Sequence, residues 1–269
     1  MKLLKTIFNF YLNSSIHVAL SCYALVRITF HFFHIQYDAP MALFVFFGTI
    51  VGYNFVKYDA LVRVKKNPIS NQLKIIAVLS LISVVLVGYY FFQLKRITQI
   101  VSFGIFAVTA LYTLPFFPNR KNARNWAGVK IYIVAICWVG ATLVLPLINA
   151  EVPFTADFFI RSIQRFVLVF VLILVFEIID LANDDPHLKT VPQTIGVKNT
   201  KLLGFLLLIP FWIVGILSFS FHDVIINLIM VCILMAFIYF ANPNRHKYYT
   251  SFWVEAVPVL WWLMIVYIP

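Results

Sequence analysis

The chain alternates long apolar runs with short polar ones from end to end. A helix needs roughly 17 to 25 apolar residues to cross the hydrocarbon of a bilayer, and marking runs of that length predicts about nine spans. They are Ile16 to Phe33, Pro40 to Leu61, Leu73 to Phe92, Ile97 to Leu114, Trp126 to Leu147, Phe158 to Leu181, Leu202 to Phe221, Val224 to Ala241, and Phe252 to Ile268. Each run is too long and too unalternating for a barrel strand, and in lipid the backbone must satisfy its own hydrogen bonds, so each is predicted to be a helix. Trp126, Tyr248, Tyr249, Trp253 and Tyr267 fall near predicted ends, where amphipathic rings favour the membrane interface. No stretch reads as a separate soluble domain. The expected architecture is all-α, a polytopic membrane helical bundle in a single domain over residues 1–269.

Composition agrees: 62% of the residues are hydrophobic and 12% charged, far from the balance of a soluble domain. Lys2 and Lys5 precede a long segment with no small-residue cleavage site, so the first helix is expected to be retained. Cys22, Cys137 and Cys232 lie inside apolar runs with no metal-ligand spacing and read as small hydrophobes. The formal net charge of +11 sits in short loops, which favours anionic headgroups and anionic substrates over nucleic acid as partners. With the amino terminus and the even-numbered loops on one side, every Lys and Arg except Arg27, Lys95, Arg96, Arg161 and Arg165 falls on that side. The positive-inside rule then predicts a cytoplasmic amino terminus and, for an odd number of spans, an outside carboxyl terminus. Lys95 and Arg96 run against it.

On this orientation the loops after the second and sixth spans share the cytoplasmic face, and the sixth span ends in acids: Glu177-Ile178-Ile179-Asp180-Leu181-Ala182-Asn183-Asp184-Asp185-Pro186. At about 100° per residue, Glu177, Asp180 and Asp184 lie within about 60° on one helix face. An acid in or beside hydrocarbon costs about 2.5 to 3.5 kcal/mol, and like charges at this spacing repel, so a compensating cation is expected. Mg2+ suits such a stripe because it takes hard oxygen ligands and commonly joins one or two carboxylates to substrate phosphates. The alternative is that Asp184, Asp185 and Pro186 end the helix in a solvated loop while Glu177 and Asp180 pair with nearby cations.

The stretch Glu177-x-x-Asp180-x-x-x-Asp184, followed by Lys189-Thr190-x-Pro192 and Gly196, resembles the second aspartate-rich motif and following loop of the UbiA-type membrane prenyltransferase superfamily. The resemblance implies about nine helices around a central cavity. There a prenyl diphosphate held through Mg2+ ionises and alkylates an aromatic or other lipophilic acceptor. Asp180, Asp184 and Lys189 are then the expected catalytic residues, with Glu177, Asp180 and Asp184 as the metal ligands.

The first site departs from that pattern. Where the family carries Asn-Asp-x-x-Asp-x-x-x-Asp, this chain has Asn54, with Phe55, Tyr58 and Val62 at the three aspartate positions. Asp59 is the remaining acid, about 40° around an ideal helix from position 55. Lys57 suggests a different solution, a cation neutralising one phosphate in place of a metal, although it also reads as a lysine snorkelling to headgroups. Asn54, Lys57 and Asp59 are expected to contact substrate. The segment from Tyr112 to Lys121, with Pro115, is similar to a Tyr-x-x-Pro and basic segment of the family, implying a cavity-facing Tyr112 and a diphosphate-facing Lys121. Topology-setting charge explains Arg120, Lys121 and Arg124 as well. Arg27 and Glu255 are isolated charges in apolar runs and each needs an interior partner or an interface. His31 and His34 read as interfacial residues rather than metal ligands.

Three readings follow. The first is an intramembrane prenyltransferase. Loss of the first-motif aspartates supports a non-catalytic isoprenoid-binding relative instead. A small transporter should show internal repeats and interrupted spans, and no convincing repeat is present.

Overall fold

The computed structural model describes residues 2–64, 70–113, 128–184, 189–217 and 221–268. Among them every regular element is helical: α1 (Lys2–Asn13), α2 (Ile16–Phe32), α3 (Ala39–Val64), α4 (Asn71–Phe91), α5 (Arg96–Thr113), α6 (Val129–Val139), α7 (Leu145–Asn149), α8 (Ala156–Asp180), α9 (Val191–Ile216), α10 (Phe221–Phe240) and α11 (Val257–Tyr267). Two π-helical segments, Gly140–Val144 and Tyr249–Val254, join α6 to α7 and lead into α11.

Among the described residues, seven helices are long and apolar enough to cross a membrane, or eight if α1 and α2, bent by 55°, count as one span. The expected count of nine is not confirmed among the described residues. The predicted fourth span is α5, whose apolar part, Arg96–Ala110, falls short of span length among the described residues. The first span starts earlier than predicted, because α1 continues it backwards through a bend at Ser15, which adopts a left-handed φ of 62°. The Tyr248 hydroxyl donates to Asn9 Oδ1 at 2.5 Å, so α1 and the start of the last span share one end of the bundle. Ile268 lies at the other end, its carbonyl 2.5 Å from His222 Nε2.

The bundle is built around α8. In its apolar window 72% of the residues are buried, against 11% for α4 at the periphery. It packs against α6, α9, α10 and the second π segment. The sequence of α8 is apolar on all sides for most of its length, which is what a helix surrounded by protein requires. Leu168, Val171, Val175 and Ile178 join Leu208 and Phe211 of α9, Met230 of α10 and Val254, Val257 and Trp261 of the last span in the main core.

Association in lipid depends on close packing and buried polar links, and both are present. The Asn227 carboxamide of α10 accepts from Gln164 Nε2 of α8 at 3.0 Å and donates to the Trp212 carbonyl of α9 at 3.3 Å. It fits there because Gly215 has no side chain: a Cβ at that position would collide with the Asn227 amide. The first π segment sets up a second link. A π turn alters the carbonyl pattern of its helix, and here the Thr142 carbonyl accepts from Thr29 Oγ1 at 2.7 Å and from Arg165 Nη1 at 3.3 Å. At the far end Lys95, which opposed the charge rule, pairs with Glu151 at 2.9 Å.

Candidate functional site

The acids gather at the carboxyl-terminal end of α8. Glu177 is buried, with 3% of its surface exposed, and both carboxylate oxygens are engaged within the protein. Oε2 accepts the Val191 backbone N–H at 3.0 Å, and Oε1 lies 3.8 Å from Lys130 Nζ of α6. Val191 is the first residue of α9, after the N-cap Thr190. Its N–H is one of the donors a helix start leaves unpaired, and a carboxylate there also meets the positive end of the helix dipole. Glu177 therefore pins α8, α9 and α6 together, and Lys130 supplies the cation that a buried acid demands.

Asp180 is the last residue of α8 and is exposed. The Asp184 N–H donates to the Asp180 carbonyl at 2.9 Å, so the helical bond pattern runs one step beyond the helix end and keeps Asp184 on the Glu177–Asp180 stripe. Asp184 acts electrostatically on both acids, and Lys130 on both Glu177 and Asp180. Asp184 Oδ2 is buried and has no hydrogen-bond partner among the described residues. Across the turn stands Lys189, exposed, with a left-handed φ of 47° that is uncommon outside glycine. The Gln193 side chain returns to the Thr190 N–H at 3.0 Å, and Pro192 stands in the first turn of α9. Gly196 then leaves helical geometry at φ 80° and ψ 158°, a positive φ that glycine adopts without strain. Residues 191–195 thus form a separate turn, held over the end of α8.

Mg2+ can be tested against these groups. Among the described residues, no set of three or more His, Cys, Asp or Glu side chains could hold a metal by itself, and Glu177 is committed to Val191 and Lys130. Asp180 and Asp184 remain, the latter with an unpartnered oxygen. Two carboxylates with other positions left for water and phosphate oxygens is the usual arrangement for Mg2+. The residues fit an ion completed by a phosphorylated ligand; they do not form an all-protein cage.

The first-motif residues lie on α3. Asn54 is buried, accepting from Ser15 Oγ at 2.8 Å and donating to Ser80 Oγ at 2.9 Å. It ties α3 to the α1–α2 bend and to α4, so both of its polar groups already have partners. Lys57 is exposed, with Nζ donating to the Asn13 carbonyl at 3.4 Å beside the Tyr58 ring; the Tyr58 hydroxyl donates to the same carbonyl at 2.7 Å. Asp59 lies on α3 and Tyr112 on α5, and the side chains of both fall outside the described residues, as do the whole of Lys121, Arg120, Arg124, Asp185 and Pro186.

α6 connects the two regions. Trp138 Nε1 donates to the Tyr53 hydroxyl of α3 at 2.9 Å, and Lys130, two turns away on the same helix, meets Glu177. By position in the sequence Lys130 is a topology-setting charge. A single cation just inside an otherwise apolar run, Val129-Lys130-Ile131-Tyr132-Ile133, was the available signal. The isolated charges also acquire surroundings. Glu255 feels the field of Lys57. Arg27 lies 4.5 Å from the Tyr37 ring centroid and 5.2 Å from that of Trp262, so aromatic faces surround it. Arg165, 3% exposed, bonds to the Leu25 carbonyl, both Thr142 oxygens and Thr29 Oγ1.

No protein-family model matches the sequence, and no curated protein sequence matches it. Solved structures do match. A UbiA homolog from Archaeoglobus fulgidus bound to GPP and Mg2+ superposes with a TM-score of 0.64 at 13% identity, covering 95% of this chain and 97% of that one. The apo structure of a UbiA homolog from Aeropyrum pernix K1 gives 0.61 at 14% identity, covering 95% and 97%. A digeranylgeranylglyceryl phosphate synthase gives 0.57 at 14% identity, covering 99% and 96%. The chain has the fold of the UbiA homologues, over nearly its whole length, as the resemblance of its acidic motif implied.

Proposed function

We propose that the chain is an intramembrane prenyltransferase of the UbiA type, moving a prenyl group from a prenyl diphosphate to an aromatic or other lipophilic acceptor. The observation that carries the reading is the pair Asp180 and Asp184 at the end of the central helix, with Asp184 Oδ2 unpartnered among the described residues and Lys189 across the turn. Structures of the same fold are described with GPP or DMAPP and Mg2+. The acidic end is assigned to the cytoplasmic side, because Lys and Arg gather in the loops of that end.

In this reading Asp180 and Asp184 hold Mg2+ and, through it, the diphosphate. When bound, the ion neutralises phosphate charge and so eases departure of the diphosphate. Glu177 does not reach the substrate; with Lys130 and the Val191 N–H it fixes the angle between α8 and the first turn of α9, which sets where Lys189 stands. Lys189, together with Lys57 and Lys121, offsets the negative charge that grows on the leaving diphosphate as the carbon–oxygen bond breaks. Such fixed cations stabilise the transition state more than the ground state. The apolar body of the bundle accommodates the prenyl tail and the acceptor.

Purified protein given radiolabelled GPP tests the reading through release of diphosphate. Release that requires Mg2+ and is lost in Asp180→Asn and Asp184→Asn is expected; full activity in either variant overturns the assignment. Phe55, Tyr58 and Val62 at the first-motif positions favour a second reading, a protein that binds an isoprenoid without turning it over. Mg2+-dependent binding of GPP without diphosphate release identifies that case.

A further inference from the structure

Apart from the acidic end of α8, a cleft of about 410 Å³ opens between the start of α9 and the loop leaving α10, lined by Lys201, Tyr239, Phe240, Asn242, Asn244 and Arg245. Its lining shares no residue with the acidic end. On α9, Leu203 and Leu207 pack toward Phe170 and Leu174 of α8, whereas Lys201 and Gly204 turn toward α10, where Lys201 Nζ donates to the Tyr239 carbonyl at 2.8 Å and Gly204 lies against Ile238.

Three observations bear on what the cleft takes. The first is that its two cations are held in place. Lys201 is tied to the Tyr239 carbonyl, while Arg245 Nε donates to the Phe240 carbonyl at 3.1 Å and its guanidinium lies 5.7 Å from the Tyr249 ring centroid. Capping the last carbonyls of α10 explains one donor from each. A lysine has three N–H donors and an arginine five, so most remain available to a ligand. The Asn242 oxygen accepts from the Asn244 N–H at 2.9 Å, which orients that amide as well.

The second observation is that no acid lines the cleft among the described residues. Residues 189–217 and 236–254, which form this corner, contain Lys189, Lys198, Lys201, Arg245 and Lys247 and no Asp or Glu. The third concerns depth in the membrane. Tyr239 and Phe240 end an apolar span and are 68% and 52% exposed, so the cleft stands where hydrocarbon gives way to headgroups.

We infer that the cleft is a phosphate-binding site at the membrane surface, taking the phosphodiester of an anionic phospholipid. Lys201 and Arg245 are its cationic ligands, and the Asn242 and Asn244 amides are further hydrogen-bonding groups. A lipid bound there clamps the start of α9 to the end of α10. The inference stands on this corner alone and does not depend on the prenyltransferase reading.

Native mass spectrometry of the full-length protein in detergent, incubated with equal amounts of phosphatidylglycerol or phosphatidylcholine, reads the site directly. Wild-type protein is expected to retain phosphatidylglycerol preferentially. Lys201→Ala with Arg245→Ala should lower that retention about tenfold, while Lys198→Ala with Lys247→Ala, cations outside the cleft lining, should leave it nearly unchanged. Equal retention of the two lipids by the wild type overturns the inference without any variant, so it survives a double variant that fails to fold. Equal losses in the two double variants overturn it too, since diffuse attraction then accounts for binding. Complete displacement of phosphatidylglycerol by millimolar inorganic phosphate overturns the lipid assignment in favour of free phosphate.

Discussion

Lys130→Met isolates the contact that fixes the acidic end of α8. At the observed 3.8 Å from Lys130 Nζ to Glu177 Oε1, two unit charges attract by about 4 kcal/mol at an effective dielectric near 20. Desolvation takes back part of this, and Lys130, with 22% of its side chain exposed, is partly screened. A net coupling of about 1 to 3 kcal/mol is therefore expected. Lys130→Met leaves Glu177 buried with only the Val191 N–H at 3.0 Å. Glu177→Gln keeps an oxygen for that N–H but leaves Lys130 without its acid. Carrying both changes restores a neutral contact of similar shape, so the double variant should be less destabilised than the sum of the singles. Unfolding temperatures of the four proteins in one detergent measure this double-mutant cycle, at about 2 to 4 °C per kcal/mol for a chain of this size class. Additive losses, with a coupling under about 0.5 kcal/mol, would refute the argument that Lys130 is the partner of Glu177.

Other substitutions probe the rest of the frame. Gly215→Ala should lower stability by about 1 to 3 kcal/mol, because its methyl group meets the Asn227 amide; an unchanged melting temperature contradicts that packing. Arg165→Lys keeps the charge but cannot reach Leu25, Thr142 and Thr29 together, so a loss of about 1 to 3 kcal/mol is expected in thermal unfolding. Glu151→Ala removes an exposed pair with Lys95 and should shift stability by less than about 1 kcal/mol. Asn54→Ala separates the α1–α2 bend from α3 and α4, and faster hydrogen exchange at residues 13–19 is the expected sign.

The helices were legible because hydrocarbon demands a run length that few other environments do. The start of the first span was not, since run length cannot register a left-handed Ser15 that joins α1 to α2 through a 55° bend. The stripe of Glu177, Asp180 and Asp184 was legible from helical spacing alone. Its division of labour was hidden, because the N–H that binds Glu177 belongs to Val191, after a loop, and Lys130 comes from a helix more than forty positions earlier. The same holds for Asn54: its type and position suggested substrate contact, while Ser15 and Ser80 occupy its polar groups, and those partners are fixed by packing. Both π segments were invisible, since an added residue per turn leaves no mark on apolar periodicity.

The account rests on Asp180 and Asp184 binding a prenyl diphosphate through a divalent ion, with Glu177 kept back as a structural acid. Determining the structure of the purified protein with geranyl thiodiphosphate and Mn2+, located by its anomalous scattering, tests this directly. The account predicts the ion and the diphosphate at the Asp180 and Asp184 carboxylates, with Glu177 still on the Val191 N–H. An ion elsewhere, or a diphosphate bound away from the end of α8, would contradict it.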